Sequence, residues 1–178
     1  MNCLVSVFVV SLVPFIFAEE VSQYDTVCNR VPGKTVEYHL FTDEMFWLEA
    51  QTYCADKLGG ILARIPNKET DDLIRNHIIS SGAGDVVQTG FWIGYNDIRA
   101  EGEYEWAGGK LLCQDYVNWA NNEPNNNTKK RLEGQDCVQL RKAVNFLWDD
   151  EYCDYRKKGF ICETAVCDAF DKCNICYK

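Results

Sequence analysis

A chain of 178 residues favours one domain, and its formal net charge of −9 argues against nucleic acid or an anionic membrane as a partner. Only two histidines are present, His39 and His77, and no Ser/His/Asp or Cys/His grouping forms around them, so no catalysis is expected. Ten cysteines point instead to a chain stapled by disulfides in an oxidising compartment.

Met1 to Ala18 carries no charged side chain, and its apolar run from Leu4 to Phe17 ends at Ala18 before Glu19-Glu20. This reads as a secretory signal peptide, residues 1–18, although the basic residue usual near the start is missing. A membrane anchor is the competing reading. The run falls short of the roughly 18–20 apolar residues that a spanning helix needs, and no later segment is suited to insertion. Cys3 leaves with the signal peptide, so nine of the ten cysteines remain, an odd number. One thiol is therefore left free or bonds another chain.

Residues 19–34 form a polar N-terminal lead-in. Thr42 is placed to cap a helix from Asp43 to Lys57, with Trp47, Ala50, Cys54 and Leu58 on one face and Gly59-Gly60 as the stop. Asn67 caps a second helix that runs to about Ser80 and buries Leu73, Ile74 and Ile78, with His77 beside that apolar face. After Gly90, short strand-like pieces alternate with Gly, Asn and Asp turns: Phe91-Trp92-Ile93, Tyr104-Glu105-Trp106, Val138-Gln139-Leu140 and Phe160-Ile161. Between them Asn118 to Gln135 holds hardly any apolar residue, and so long a loop in a compact domain is usually functional. Residues 165–178 are a cysteine-rich tail. Its Cys173-Asn174-Ile175-Cys176 is better read as disulfide-forming than as a redox dithiol or a zinc site.

Glu123-Pro124-Asn125 and Trp148-Asp149-Asp150 each put several hard oxygen donors within a few residues in polar sequence. That is the donor chemistry Ca²⁺ takes, six to eight oxygens from carboxylates, amides and carbonyls. The adjacent acids Asp149 and Asp150 cannot serve as a glycosidase pair, because neighbours on one loop cannot flank a bond from two sides. Trp92, Trp106 and Trp148 are expected in the core rather than stacked on a sugar, whereas Tyr116 and Trp119 are better placed to lie near the site, with core packing the default for Trp119. Asn126-Asn127-Thr128 is an N-glycosylation sequon, with Asn126 as acceptor.

In chain order, Trp47-Leu48-Glu49-Ala50, Tyr53-Cys54, Gly60-Ile61-Leu62-Ala63, Phe91-Trp92-Ile93-Gly94, Asn118-Trp119, Glu123-Pro124-Asn125, Gly134-Gln135-Asp136-Cys137, Trp148-Asp149-Asp150 and Gly159-Phe160-Ile161-Cys162-Glu163 resemble the C-type lectin domain. The likeness covers residues 35–164 and implies an α+β fold, two helices flanking small antiparallel sheets with a long calcium-binding loop. It implies the disulfides Cys54–Cys162 and Cys137–Cys153. Cys28, Cys113, Cys167, Cys173 and Cys176 fall outside the pattern; Cys28 is expected to pair with the tail, and a disulfide-linked homodimer accounts for the odd count.

The resemblance implies a principal calcium held by Glu123, Asn125, Gln135, Asp149 and Asp150, with a cis Glu123-Pro124 bond. Four of these, Glu123, Asn125, Gln135 and Asp149, would also meet two neighbouring hydroxyls of a sugar. Gln135 stands where the family usually has Glu, and Asp149 where it usually has Asn. Glu-Pro-Asn accompanies mannose-type sugars in the family, but the exchanged second pair restores the donor–acceptor order of galactose-type sites. Asp97, Glu101 and Asp136 match the acidic ligands of an auxiliary calcium, weakened by Asn126 and Gln135 where carboxylates are usual. The expected protein is a secreted Ca²⁺-dependent lectin for glycans ending in galactose or mannose, with a role in glycan or microbe recognition. The alternative is a calcium-independent protein-binding module of the same fold.

Overall fold

A computed structural model describes residues 23–31, 34–109 and 116–166. The elements run β1 (Gln23–Val31), β2 (Lys34–Met45), α1 (Trp47–Leu58), β3 (Ile61–Leu62), α2 (Lys68–Ser80), α3 (Ala83–Val86), β4 (Gly90–Asn96), β5 (Glu105–Trp106), β6 (Cys137–Arg141), β7 (Leu147–Glu151) and β8 (Lys158–Val166). The strands join in the order β1-β2-β8-β4-β6-β7, with β3 on β8 and β5 on β4. Every pairing is antiparallel except β4 with β8, where Phe91 faces Gly159 and Trp92 faces Phe160. The short strands read from the sequence are thus joined in one open sheet, with β4 and β8 as its parallel strands. Among the described residues, no helix is long and apolar enough to cross a membrane.

Strand side chains point alternately to opposite faces, and the core divides accordingly. Leu40, Phe91, Ile93, Leu140 and Ile161 point to one face, where Ile74 and Ile78 of α2 cover them. Their neighbours Phe41, Trp92 and Phe160 point to the other, beneath Trp47, Ala50 and Cys54 of α1. Trp92, Trp106 and Trp148 are all core residues. Cys54–Cys162 ties α1 to β8 across 108 residues, and Cys137–Cys153 closes a separation of 16. Loops of these sizes contribute about 4–5 and about 3 kcal/mol in the chain-entropy model.

The second helix is built as its sequence predicts: Asn67 lies outside it in extended conformation, and its side chain accepts from Thr70 N at 2.8 Å. Leu73, however, is only half-buried, and Asp71 takes an interior position on this helix instead. The first helix starts later than its sequence predicts. Thr42 is not its cap but a residue of β2, because β2 stays paired to β8 as far as Met45 opposite Lys158. Phe46 becomes the entry residue, with its N–H donating to Glu49 Oε2 at 3.0 Å, and Gly59 ends the helix at φ 63°. The lead-in is not featureless either. Residues Gln23–Val31 form β1 against β2, with Cys28 opposite Glu37. Residues 1–22, Cys113 and the tail cysteines Cys167, Cys173 and Cys176 lie outside the described residues, as do the expectations placed on them.

Candidate functional site

The long loop is stitched at its start to the strand that carries the acidic pair. Trp148 N donates to Asn118 O at 2.9 Å, and Ala120 N donates to Trp148 O at 2.8 Å. Further along, the Glu123-Pro124 bond is cis. The wholly buried Asp150 carboxylate then organises the turn, accepting from Asn125 N at 3.0 Å and Asn126 N at 2.7 Å. Asn126 Oδ1 accepts from Gln135 N at 2.9 Å, and Gln135 Oε1 accepts from Asn127 N at 3.0 Å. Gly134 permits this closure. It sits at φ 91°, and a Cβ there would lie 1.8 Å from Asn126 Oδ1.

Asp149 and Asp150 come from β7, opposite Gln139 and Val138 of β6. Asn125 Nδ2 donates to Glu123 Oε2, so the two sides of the Glu-Pro-Asn turn meet. Glu123, Asn125, Gln135 and Asp149 line one open cleft of about 410 Å³, and Asp150 forms the base of the turn. The Glu123 carboxyl is pushed up to about 8, first by burial and then by the Asp150 and Asp149 carboxylates beside it. The Asp149 and Asp150 carboxylates thus make a further negative charge on Glu123 costly. A divalent cation suits that arrangement, and the five side chains supply only oxygen donors of the type calcium prefers.

Like Asp150 and Glu123, the remaining carboxylate and amide positions are already engaged by the protein. Asp149 Oδ1 accepts from Arg141 Nη1 at 2.9 Å and its Oδ2 accepts from Gln139 Nε2 at 2.6 Å. Gln135 Nε2 donates to Glu151 Oε1 at 3.1 Å. Among the described residues, no three Asp, Glu, His or Cys side chains are gathered tightly enough to hold a metal as they stand. At the auxiliary position Asp97 is buried and accepts from Gly102 N at 2.8 Å, while its Oδ1 has no partner. Burial pushes Asp97 up to about 6, the Gly102 N–H opposes this, and the Glu101 and Asp136 carboxylates add to it. Asp97 N also donates to Asp136 O at 3.0 Å, so Asp97 and Asp136 are neighbours, with Glu101 on the exposed turn. Asn126, the sequon residue, folds its side chain back against Gly134.

The lectin C-type domain model matches residues 43–164. The chain belongs to the C-type lectin domain family. Lectin BRA-3 of Megabalanus rosa is 34% identical over 131 residues, covering 72% of this chain and 71% of that lectin. The human low affinity immunoglobulin epsilon Fc receptor is 31% identical over 147 residues, covering 79% of this chain but only 40% of the receptor's length. Among solved structures, the mouse scavenger receptor C-type lectin carbohydrate-recognition domain superposes with a TM-score of 0.61 at 28% identity, covering 77% of this chain and 94% of that one. Members of this family are in general binding proteins, and carbohydrate-binding lectins are prominent among them.

Several residues of this C-type lectin domain that shape the site were not singled out from the sequence. Asp71 of α2 is fully buried and accepts from Trp148 Nε1 at 2.7 Å and Asn118 Nδ2 at 2.7 Å, so it anchors both sides of the loop's stitch. Gln139 and Arg141 hold Asp149. Both lie two apart on a strand opposite it, a relation the alternation of β6 contains but that only the β6–β7 register exposes. Lys158, at the start of β8, is buried with its Nζ 3.8 Å from Glu151 and 5.0 Å over the Trp92 ring. Tyr116 and Trp119 pack edge-on to Trp148 at 6.0 and 5.9 Å, which makes them supports of the loop from the core side.

Proposed function

We propose that this chain is a secreted, Ca²⁺-dependent lectin whose cleft binds glycans ending in galactose- or mannose-type sugars, in glycan or microbe recognition. The observation that carries the reading is the convergence of Glu123, Asp149 and Asp150 at one turn, where burial first and the two aspartates next push Glu123 up to about 8. Glu123, Asn125, Gln135, Asp149 and Asp150 would hold the cation. Calcium, when bound, supplies a strong electrophilic centre for two neighbouring hydroxyls. Around it Glu123 and Asp149 accept from those hydroxyls, while Asn125 and Gln135 donate to them. Asp150 keeps Asn125 and Asn126 in place through its two backbone hydrogen bonds. The apolar run before Glu19 and the two disulfides support export.

Glycan-array binding measured with calcium and with chelator tests the reading. Binding should need calcium, and Asp150→Ala should abolish it together with any calcium-induced rise in melting temperature. A second reading, a calcium-independent binding module, draws on the Arg141–Asp149 contact, since a guanidinium already neutralises one ligand carboxylate. Arg141→Gln separates the two. In the calcium reading it removes a competing cation and should tighten calcium binding several-fold; in the other it changes no calcium-dependent signal. Glycan binding that persists undiminished in chelator decides for the second reading.

A further inference from the structure

The cleft does not end at the five candidate ligands. In a chain of formal charge −9, its lining gathers the five cations Lys129, Lys130, Arg141, Arg156 and Lys158 against the three acids Glu123, Asp149 and Glu151. The cationic excess sits within reach of the same opening as the acidic cluster. Arg141 is paired with Asp149 and Lys158 lies by Glu151, so Lys129, Lys130 and Arg156 are the excess, a cationic wall beside the acidic cluster that favours anionic ligands.

The end of the cleft near β4 is also short of partners. Gln139 is buried, and its Oε1 has none although its Nε2 donates to Asp149. Thr89 Oγ1, which lines the same cleft, is likewise buried and unpartnered. Leaving a buried polar atom without a partner is unfavourable, so two in one cleft beside charged side chains mark a place for a polar ligand. Gln139 Oε1 can only accept, Thr89 can donate, Arg141 is a permanent donor, and Lys158 donates through an ammonium that burial pulls below its usual pKa against the pull of Glu151. Lys158 cannot swing away. Its stem is buried, with Glu151 on one side and the Trp92 ring below.

We propose that this end is a seat for an anionic substituent, the sulfate or carboxylate of an acidic saccharide. Arg141, Lys158 and the Thr89 hydroxyl hold the anion, and Gln139 Oε1 accepts from a neighbouring hydroxyl or amide N–H of the ligand. Lys129, Lys130 and Arg156 extend the positive wall toward the opening. The seat rests on the same cleft as the proposed calcium-dependent lectin site and narrows its ligand class to acidic glycans.

The test is calorimetric titration of the full chain with three forms of one sugar, namely neutral galactose, its sulfate ester and the corresponding uronic acid. Each is run with calcium and with chelator. At least one acidic form should bind about tenfold or more tighter than the neutral one, with the advantage falling as salt is raised. The sulfate and carboxylate arms show which anion the seat prefers. Thr89→Val, Arg141→Gln and Lys158→Met should each reduce the acidic-to-neutral ratio measured on the same protein. If Lys158→Met fails to fold, the other two variants decide.

Equal binding of acidic and neutral forms in calcium overturns the seat and leaves the lectin reading standing. Acidic preference that survives in chelator and falls in Thr89→Val supports the seat and removes the calcium requirement. A preference unmoved by all three variants places the anion elsewhere and refutes the proposal.

Discussion

Replacing Asp71 tests whether α2 holds the loop in place. The carboxylate is fully buried and accepts from Trp148 Nε1 and Asn118 Nδ2, each at 2.7 Å, with Arg75 Nη1 at 3.6 Å. Asp71→Ala strands two donors in the interior, and each buried unsatisfied group costs about 1–3 kcal/mol. The expected loss is about 3–4 kcal/mol, which for a domain near 150 residues lowers the melting temperature by about 10 °C. Asp71→Asn should cost far less. Its oxygen can still accept from the indole, which has no alternative, while the Asn118 amide can turn its own oxygen toward the new NH₂ group.

The pH dependence of Asp71 carries a sign. Burial lifts its carboxyl above the usual 3.8, against the pull of Trp148, Asn118 and Arg75. The folded chain therefore holds the proton more tightly than the unfolded one, and stability falls as pH rises from about 3.8 through the raised folded value. Asp71→Asn should flatten that segment of the curve. Thermal unfolding followed by Trp fluorescence, with disulfides intact, gives both quantities. An Asp71→Ala protein within about 1 kcal/mol of the parent, or an Asn variant as damaged as the Ala one, refutes the reasoning.

Three further outcomes are expected. Calcium affinity should rise with pH up to about 8, because Glu123, pushed up to about 8 from 4.5, must lose its proton to serve the cation; the slope should approach tenfold per pH unit and flatten in Glu123→Gln. The charge-neutral exchange Gln135→Glu with Asp149→Asn should move sugar preference toward mannose, and a parent that elutes with mannose but ignores galactose would contradict the donor–acceptor order argued here. Removal of residues 1–18 as a signal peptide would take Cys3 and leave nine of the ten cysteines; on that expectation a non-reducing gel should show a disulfide-linked dimer, and a monomer with one alkylatable thiol would rule it out.

What could be read from the sequence was what local chemistry decides. Asn67 and Gly59 mark helix ends because their caps involve residues a few positions away, and each acts as expected. The alternation of Phe91, Trp92 and Ile93 and the apolar face of α1 likewise declare what is buried. The order of landmarks carried the family and both described disulfides.

Tertiary structure decided whatever depends on partners distant in the chain. Thr42 has the local chemistry of a helix cap, yet Phe41 and Met45 pair with Phe160 and Lys158, and ladder hydrogen bonds over a long register outweigh one cap. Asp71 looks like an ordinary first-turn acid, but Trp148, 77 residues away, makes it an interior anchor. Glu123 and Asp149 each look like a free carboxylate in sequence. In the fold, one is raised by burial and then by its acidic neighbours, and the other is held by Arg141 and Gln139 across the β6–β7 register. Electrostatic energies depend on separation in space and on burial, and sequence spacing fixes neither across a loop of this length.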